Sequence, residues 1–104
     1  MRCLLTARLD TQVSNQLIQS GRVANLMQQI VAEIKPEAAY FLPSAGRRSM
    51  LFIVDLADPS ELVTKGEPFW LALGADVEVT PVMTQEELSR GLQALAQNVS
   101  KYTS

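Results

Sequence analysis

Between Arg2 and Leu9 the chain alternates strictly, with Cys3, Leu5, Ala7 and Leu9 on one side and Arg2, Leu4, Thr6 and Arg8 on the other. Period two of this kind predicts a strand with one apolar and one mixed face. Asp10 or Thr11 then offers an N-cap to a short amphipathic helix carrying Val13, Leu17 and Ile18, which Ser20-Gly21 breaks or kinks. From Val23 the period becomes helical: Val23, Leu26, Met27, Ile30, Val31 and Ile34 recur three and four apart. Pro36 stops this helix, because the residue before a proline is driven out of the α region.

Glu37 to Leu42 reads as a second strand, Pro43-Ser44-Ala45-Gly46 as a turn, and Ser49 to Leu56 as a third strand, apolar on both faces and so central in its sheet. Asp58-Pro59-Ser60-Glu61 starts a helix: Asp58 caps, Pro59 suits the first helical position and Glu61 reaches back. The pattern predicts an interruption at Gly66, a restart at Glu67-Pro68 through Phe69, Trp70 and Leu73, and a stop at Gly74. Ala75 to Val82 alternates again, and Pro81 suits an edge strand. Thr84-Gln85-Glu86-Glu87 is a capping box, with Met83 placed to staple onto Leu88. The last helix then carries a seam of Leu88, Leu92, Leu95, Val99 and Tyr102 that calls for a partner surface.

Strand, helix, strand, strand, helix, strand, helix is the order of an α+β, ferredoxin-like βαββαβ antiparallel sandwich with an added C-terminal helix. That fold implies one domain over residues 1–104, strand order 4-1-3-2, and both crossovers on one face of the sheet. The other face receives Leu4, Thr6 and Arg8, Tyr40 and Leu42, and Asp76, Glu78 and Thr80. The third strand adds either Leu51, Ile53 and Asp55 or Met50, Phe52 and Val54. In either register the bare patch is larger than monomers tolerate, and a second copy of the sheet is the economical cover. At 47% apolar residues, the 104-residue chain carries more than a small two-layer domain readily hides.

Composition narrows the chemistry. The chain has no histidine and a single cysteine. The commonest general base and metal ligand are therefore absent, and neither an intrachain disulfide nor a thiolate cluster can form. A metal site and a cofactor are not expected. A formal net charge of −2 argues against nucleic-acid binding and against adhesion to anionic membranes driven by bulk charge. Arg8 and Asp10 interrupt the first apolar run, so it does not read as a signal peptide, and no window approaches the roughly 18 apolar residues of a membrane span. The expectation is a cytoplasmic protein with Cys3 as a small buried side chain.

Several stretches resemble a small uncharacterised bacterial family of about this length: Lys35-Pro36-Glu37-Ala38-Ala39-Tyr40-Phe41, Gly46-Arg47-Arg48, Val54-Asp55, Asp58-Pro59-Ser60, Glu67-Pro68, and Val77-Glu78 through Pro81-Val82-Met83-Thr84. Beyond it, the arrangement is similar to the dimeric α/β barrels, among them muconolactone isomerases and antibiotic-biosynthesis-type monooxygenases. The resemblance implies a fold and a homodimer, and no activity.

The candidate chemistry lies on the mixed face. Arg8, Tyr40 and Asp76 or Glu78 are expected at one end of it, where Arg can hold a carboxylate, Tyr can donate a hydroxyl and Glu can act as a base. The competing reading is a structural Arg8 ion pair to Glu78 or Asp76, with Asp55 facing Arg2 likewise. Glu67 beside Trp70 is a second candidate, as a carboxylate and an indole lining a pocket, against the plainer reading of a capped helix with core aromatics. Arg47-Arg48 reads as solvent-facing. Two functions follow as expectations. One is a protein that binds, or acts without a cofactor on, a small organic acid or metabolite between its sheet and a partner copy. The other is a non-enzymatic structural or regulatory dimerisation module.

Overall fold

The computed structural model describes residues 1–103. In chain order it contains β1 (Arg2–Arg8), α1 (Thr11–Gln19), α2 (Val23–Ile34), β2 (Ala38–Ser44), β3 (Arg47–Asp55), α3 (Glu61–Leu73), β4 (Asp76–Pro81) and α4 (Gln85–Ala96), then a 3₁₀ turn at Val99–Lys101. The strands make one open antiparallel sheet ordered β2-β3-β1-β4, or β4-β1-β3-β2 from the other edge. Both proline-bearing strands, β2 with Pro43 and β4 with Pro81, are edges, where a missing amide is tolerated. No helix among the described residues is long and apolar enough to cross a membrane.

The register fixes the layers. Met50, Phe52 and Val54 of β3 lie across from Ala7, Leu5 and Cys3 of β1, and all six are buried. α1, α2 and α3 cover them through Leu17, Ile30, Ile34, Phe69 and Leu73. All three helices therefore pack on one face. Phe52 sits at the centre, its ring 5.4 Å from Phe69 and 6.2 Å, edge-on, from Phe41, within the range favoured by aromatic pairs. The open face takes the first of the two alternatives for β3: Leu51, Ile53 and Asp55 join Leu4, Thr6, Arg8, Tyr40, Leu42, Asp76, Glu78 and Thr80.

Local chemistry explains the boundaries. Asp10 caps α1, its Oδ2 accepting from the Val13 amide at 2.9 Å. The hairpin turn is shorter than the Pro43–Gly46 stretch predicted. Only Ala45 and Gly46 turn, at φ of 54° and 74°, and two residues of positive φ match the right-handed twist of paired strands. β2 thus extends to Ser44 and β3 begins at Arg47. The predicted interruption at Gly66 is absent. α3 runs unbroken through Pro68, because Phe69 and Leu73 are fully buried in the core and packing outweighs the lost amide donor. Gly66 instead makes room, since a Cβ there would lie 2.8 Å from the Trp70 ring.

α4 carries its capping box: the Thr84 amide donates to Glu87 Oε1 at 2.8 Å and the Glu87 amide to Thr84 Oγ1 at 3.2 Å. Hydrogen bonding from Thr84 to the carboxyl, its backbone amide's foremost, holds Glu87 below its ordinary range. The helix ends at Ala96, so Val99 and Tyr102 follow in and after the 3₁₀ turn instead of extending it. Met83 stays exposed and does not form a covered staple. No residue of α4 is buried. The chain measures 60 × 28 × 21 Å with a radius of gyration of 17.7 Å, against about 13 Å for a compact domain of this length. α4 projects as an arm.

Candidate functional site

Two rows of side chains cross the open face at the hairpin end. Leu42, Ser49, Arg8 and Asp76 make one, and Tyr40, Leu51, Thr6 and Glu78 the next. Arg8, the last residue of β1, leans into the second row, its Nη1 donating to Glu78 Oε1 at 3.0 Å. Its Nε donates to Ser44 Oγ at 3.2 Å. Asp76, directly opposite Arg8 in register, pairs with Arg47 instead, at 2.7 Å. Arg47 spends its other nitrogens on backbone: Nε on the Leu9 carbonyl and Nη2 on that of Arg8, both at 2.9 Å.

The arrangement is a clasp. Arg8 and Arg47 tie Ser44 of β2, the start of β3 and the end of β1 to Asp76 and Glu78 of β4, with two positive charges against two negative. Both carboxylates are mostly exposed while the guanidiniums are about two-thirds covered. Pairs so open to solvent are worth about 0.2–1 kcal/mol each. Arg47 is the more structural of the two, because all three of its nitrogens are engaged by protein. Arg8 keeps Nη2 free among the described contacts.

The structure thus brings Arg8, Glu78 and Asp76 together and leaves Tyr40 apart. Tyr40 shares the Glu78 row but stands three strands away, roughly 14 Å at the usual spacing. It is 65% exposed. Glu67 and Trp70 lie on α3, across the sheet from Arg8. The two aromatics there divide: Phe69 enters the core, while Trp70 lies outward over Gly66, 45% exposed. Glu67 borders a shallow cleft of about 430 Å³ with Glu33, Thr64 and Leu71, and Trp70 does not line it. At the far end of the open face the expected Arg2–Asp55 pair is replaced. Asp55 accepts from the Met1 amine at 3.0 Å, which lowers its pKa, and Arg2 pairs with Glu37 at 3.2 Å. The amine reaches Asp55 because Met1 runs alongside the end of β3, and Arg2 is left to the neighbouring strand.

Arg47 and Arg48 were expected in solvent; Arg48 is exposed as expected and Arg47 is partly covered, yet both side chains also bind protein. The signal was the length of the turn. A two-residue Ala45-Gly46 turn makes Arg47 and Arg48 strand residues on opposite faces, Arg47 beside the clasp and Arg48 towards α1. Arg48 Nη1 donates to Ser14 Oγ and Asn15 Oδ1, both at 2.8 Å.

No group of three His, Cys, Asp or Glu side chains among the described residues is placed to hold a metal ion. Clefts of about 640, 520, 430 and 420 Å³ indent the surface, and none is lined by Arg8, Tyr40, Asp76 or Glu78. Compared with protein-family models, curated proteins and solved structures, the chain matches none.

Proposed function

We propose that this chain is a ferredoxin-like homodimerisation module, pairing through its open sheet face as a dimeric α/β barrel. The observation that carries the reading is α4, which leaves Leu88, Leu92 and Leu95 about half exposed and buries nothing. Val99 and Tyr102 extend the apolar run beyond it. An apolar seam on an arm held clear of its own domain gains only by meeting another surface. The open face of a second copy supplies one, with Leu4, Leu42, Leu51, Ile53 and Tyr40. A two-fold axis then lets each arm cross to the other copy, so every contact is made twice. The free, buried Cys3 suits a reducing, cytoplasmic setting.

Light scattering on the purified chain tests this. The expected mass is twice the 11.4 kDa of one chain. A stable monomer at micromolar concentration sinks the reading.

A second reading, binding of a small organic acid on the same face, is favoured by one feature: the unspent Nη2 of Arg8 beside the exposed Glu78. When two copies pair, that nitrogen faces the seam and can hold a carboxylate there, with Tyr40 as a donor from the other copy. Thermal-shift measurement with small carboxylates tests it, since ligands of the native state raise the melting temperature. Equal responses of the wild type and Arg8→Gln would refute it.

A further inference from the structure

On the helix side of the sheet, beneath the β2–β3 hairpin, a cleft of about 640 Å³ opens between α1, α2 and the sheet edge. Leu9, Val23, Met27, Phe41 and Met50 give it apolar walls. It exists because the helices do not reach across β2. Phe41 points to the core side yet is 62% exposed, its ring perpendicular to that of Phe52. The volume falls within the range of small-molecule sites.

Arg48 also lines this cleft, and its side chain is held in place. Ser14 Oγ, which accepts its Nη1, belongs to a residue only 1% exposed, and Asn15 Oδ1 fixes the same nitrogen. Neither partner carries charge. Arg2, Arg8 and Arg47 each pair with a carboxylate, whereas Arg48 pairs with none among the described residues. The open cleft therefore combines apolar walls with an anchored, solvent-exposed guanidinium that has no carboxylate partner among the described residues.

We propose that this cleft binds a medium-chain carboxylate, with its alkyl chain over Met27, Phe41 and Met50 and its headgroup on the remaining nitrogens of Arg48. A guanidinium fork matches a carboxylate's two oxygens. Flexible methionines follow the irregular surface of an alkyl chain. A cation would be repelled, and a neutral apolar ligand would forgo the charge-assisted bonds of the exposed guanidinium. Arg47 of the clasp also borders the cleft, but its guanidinium is committed to Asp76 and to the carbonyls of Arg8 and Leu9.

The test is calorimetric titration of the full chain with decanoate and, in parallel, decanol. Decanoate is expected to bind saturably, one per chain and tighter than decanol. Arg48→Gln should weaken decanoate by about tenfold or more while leaving decanol unchanged. Met27→Trp, which fills the cleft without touching Arg48, should weaken both. Three results would overturn the proposal. They are no saturable binding of decanoate to the wild type, equal losses of decanoate and decanol in Arg48→Gln, and release of monomer on decanoate addition. The last would mean that the arm of a second copy is the cleft's true occupant. Circular dichroism of each variant confirms that the fold is retained.

Discussion

If the chain dimerises as proposed, truncating the arm's leucines should dissolve the dimer and leave the fold intact. Leu92 is 55% exposed and sits on a helix that buries no residue. Burying a whole leucine is worth about 1.5–3 kcal/mol, so covering the exposed half and then losing it to alanine costs about 1 kcal/mol. Two-fold symmetry counts that loss twice, about 2 kcal/mol per dimer, or roughly 30-fold in dissociation constant. Removing Leu88, Leu92 and Leu95 together scales to about 6 kcal/mol and more than 10⁴-fold, enough to give a monomer at any ordinary working concentration. Alanine is as good a helix former as leucine, so α4 itself should persist. Sedimentation equilibrium over a dilution series reads the constants, and far-UV circular dichroism reads the helix. If the triple variant dimerises as tightly as the wild type, the arm is not the interface. If it loses helix and melts earlier as a monomer, α4 packs on its own domain after all.

Four further outcomes follow from named contacts. Arg47→Lys cannot reach Asp76 and the carbonyls of Arg8 and Leu9 together, and should cost about 1–3 kcal/mol in urea unfolding; an unchanged midpoint would count against the clasp. Ala45→Gly relieves a residue held at φ 54° and should stabilise by about 0.5 kcal/mol, after the greater entropy of the unfolded glycine is subtracted, as a melting temperature raised by a few degrees. Gly66→Ala places a Cβ 2.8 Å from Trp70, so the ring must swing into water and its emission move to the red; unchanged emission would contradict the packing. Asp58 accepts from the Ser60 hydroxyl and amide, and Glu87 from the Thr84 amide, and both carboxyls are held below their ordinary values. Their contribution is therefore whole above the unfolded carboxyl pKa and fades as pH falls below about 4, which should appear as helicity lost on acidification and made less pH-dependent in Glu87→Gln.

What was legible in the sequence is what local periodicity controls. Cys3, Leu5, Ala7 and Leu9 alternate and are all buried, and the helical spacing of residues 23–34 puts Ile30 and Ile34 in the core. The capping box at Thr84 was equally plain, and of the two candidates Asp10 and Thr11 it is Asp10 that caps α1. The Asp58-Pro59 start was misplaced: α3 begins at Glu61 after Ser60, which makes no side-chain cap bond, and Asp58 instead accepts from Ser60 in the turn before it. Where tertiary packing outvotes a local signal, the sequence misled. Gly66 and Pro68 read as a break, and the burial of Phe69 and Leu73 overrides them. A proline at residue 43 read as part of a turn, although an edge strand accommodates it. That misplaced turn hid the most consequential pair in the chain. Moving the turn to Ala45-Gly46 converts Arg47-Arg48 from a loop tip into adjacent strand positions, which must then point to opposite faces. One completes the clasp, and the other brings an unpaired charge to an apolar cleft. Missing histidines had pushed the leading candidate chemistry onto the open face, where Arg8 meets a carboxylate that already answers its charge. Of the four arginines in the sheet, only Arg48 lacks such an answer among the described residues. The side chain least suspected from the sequence is therefore the one best placed to meet an anion from outside the chain.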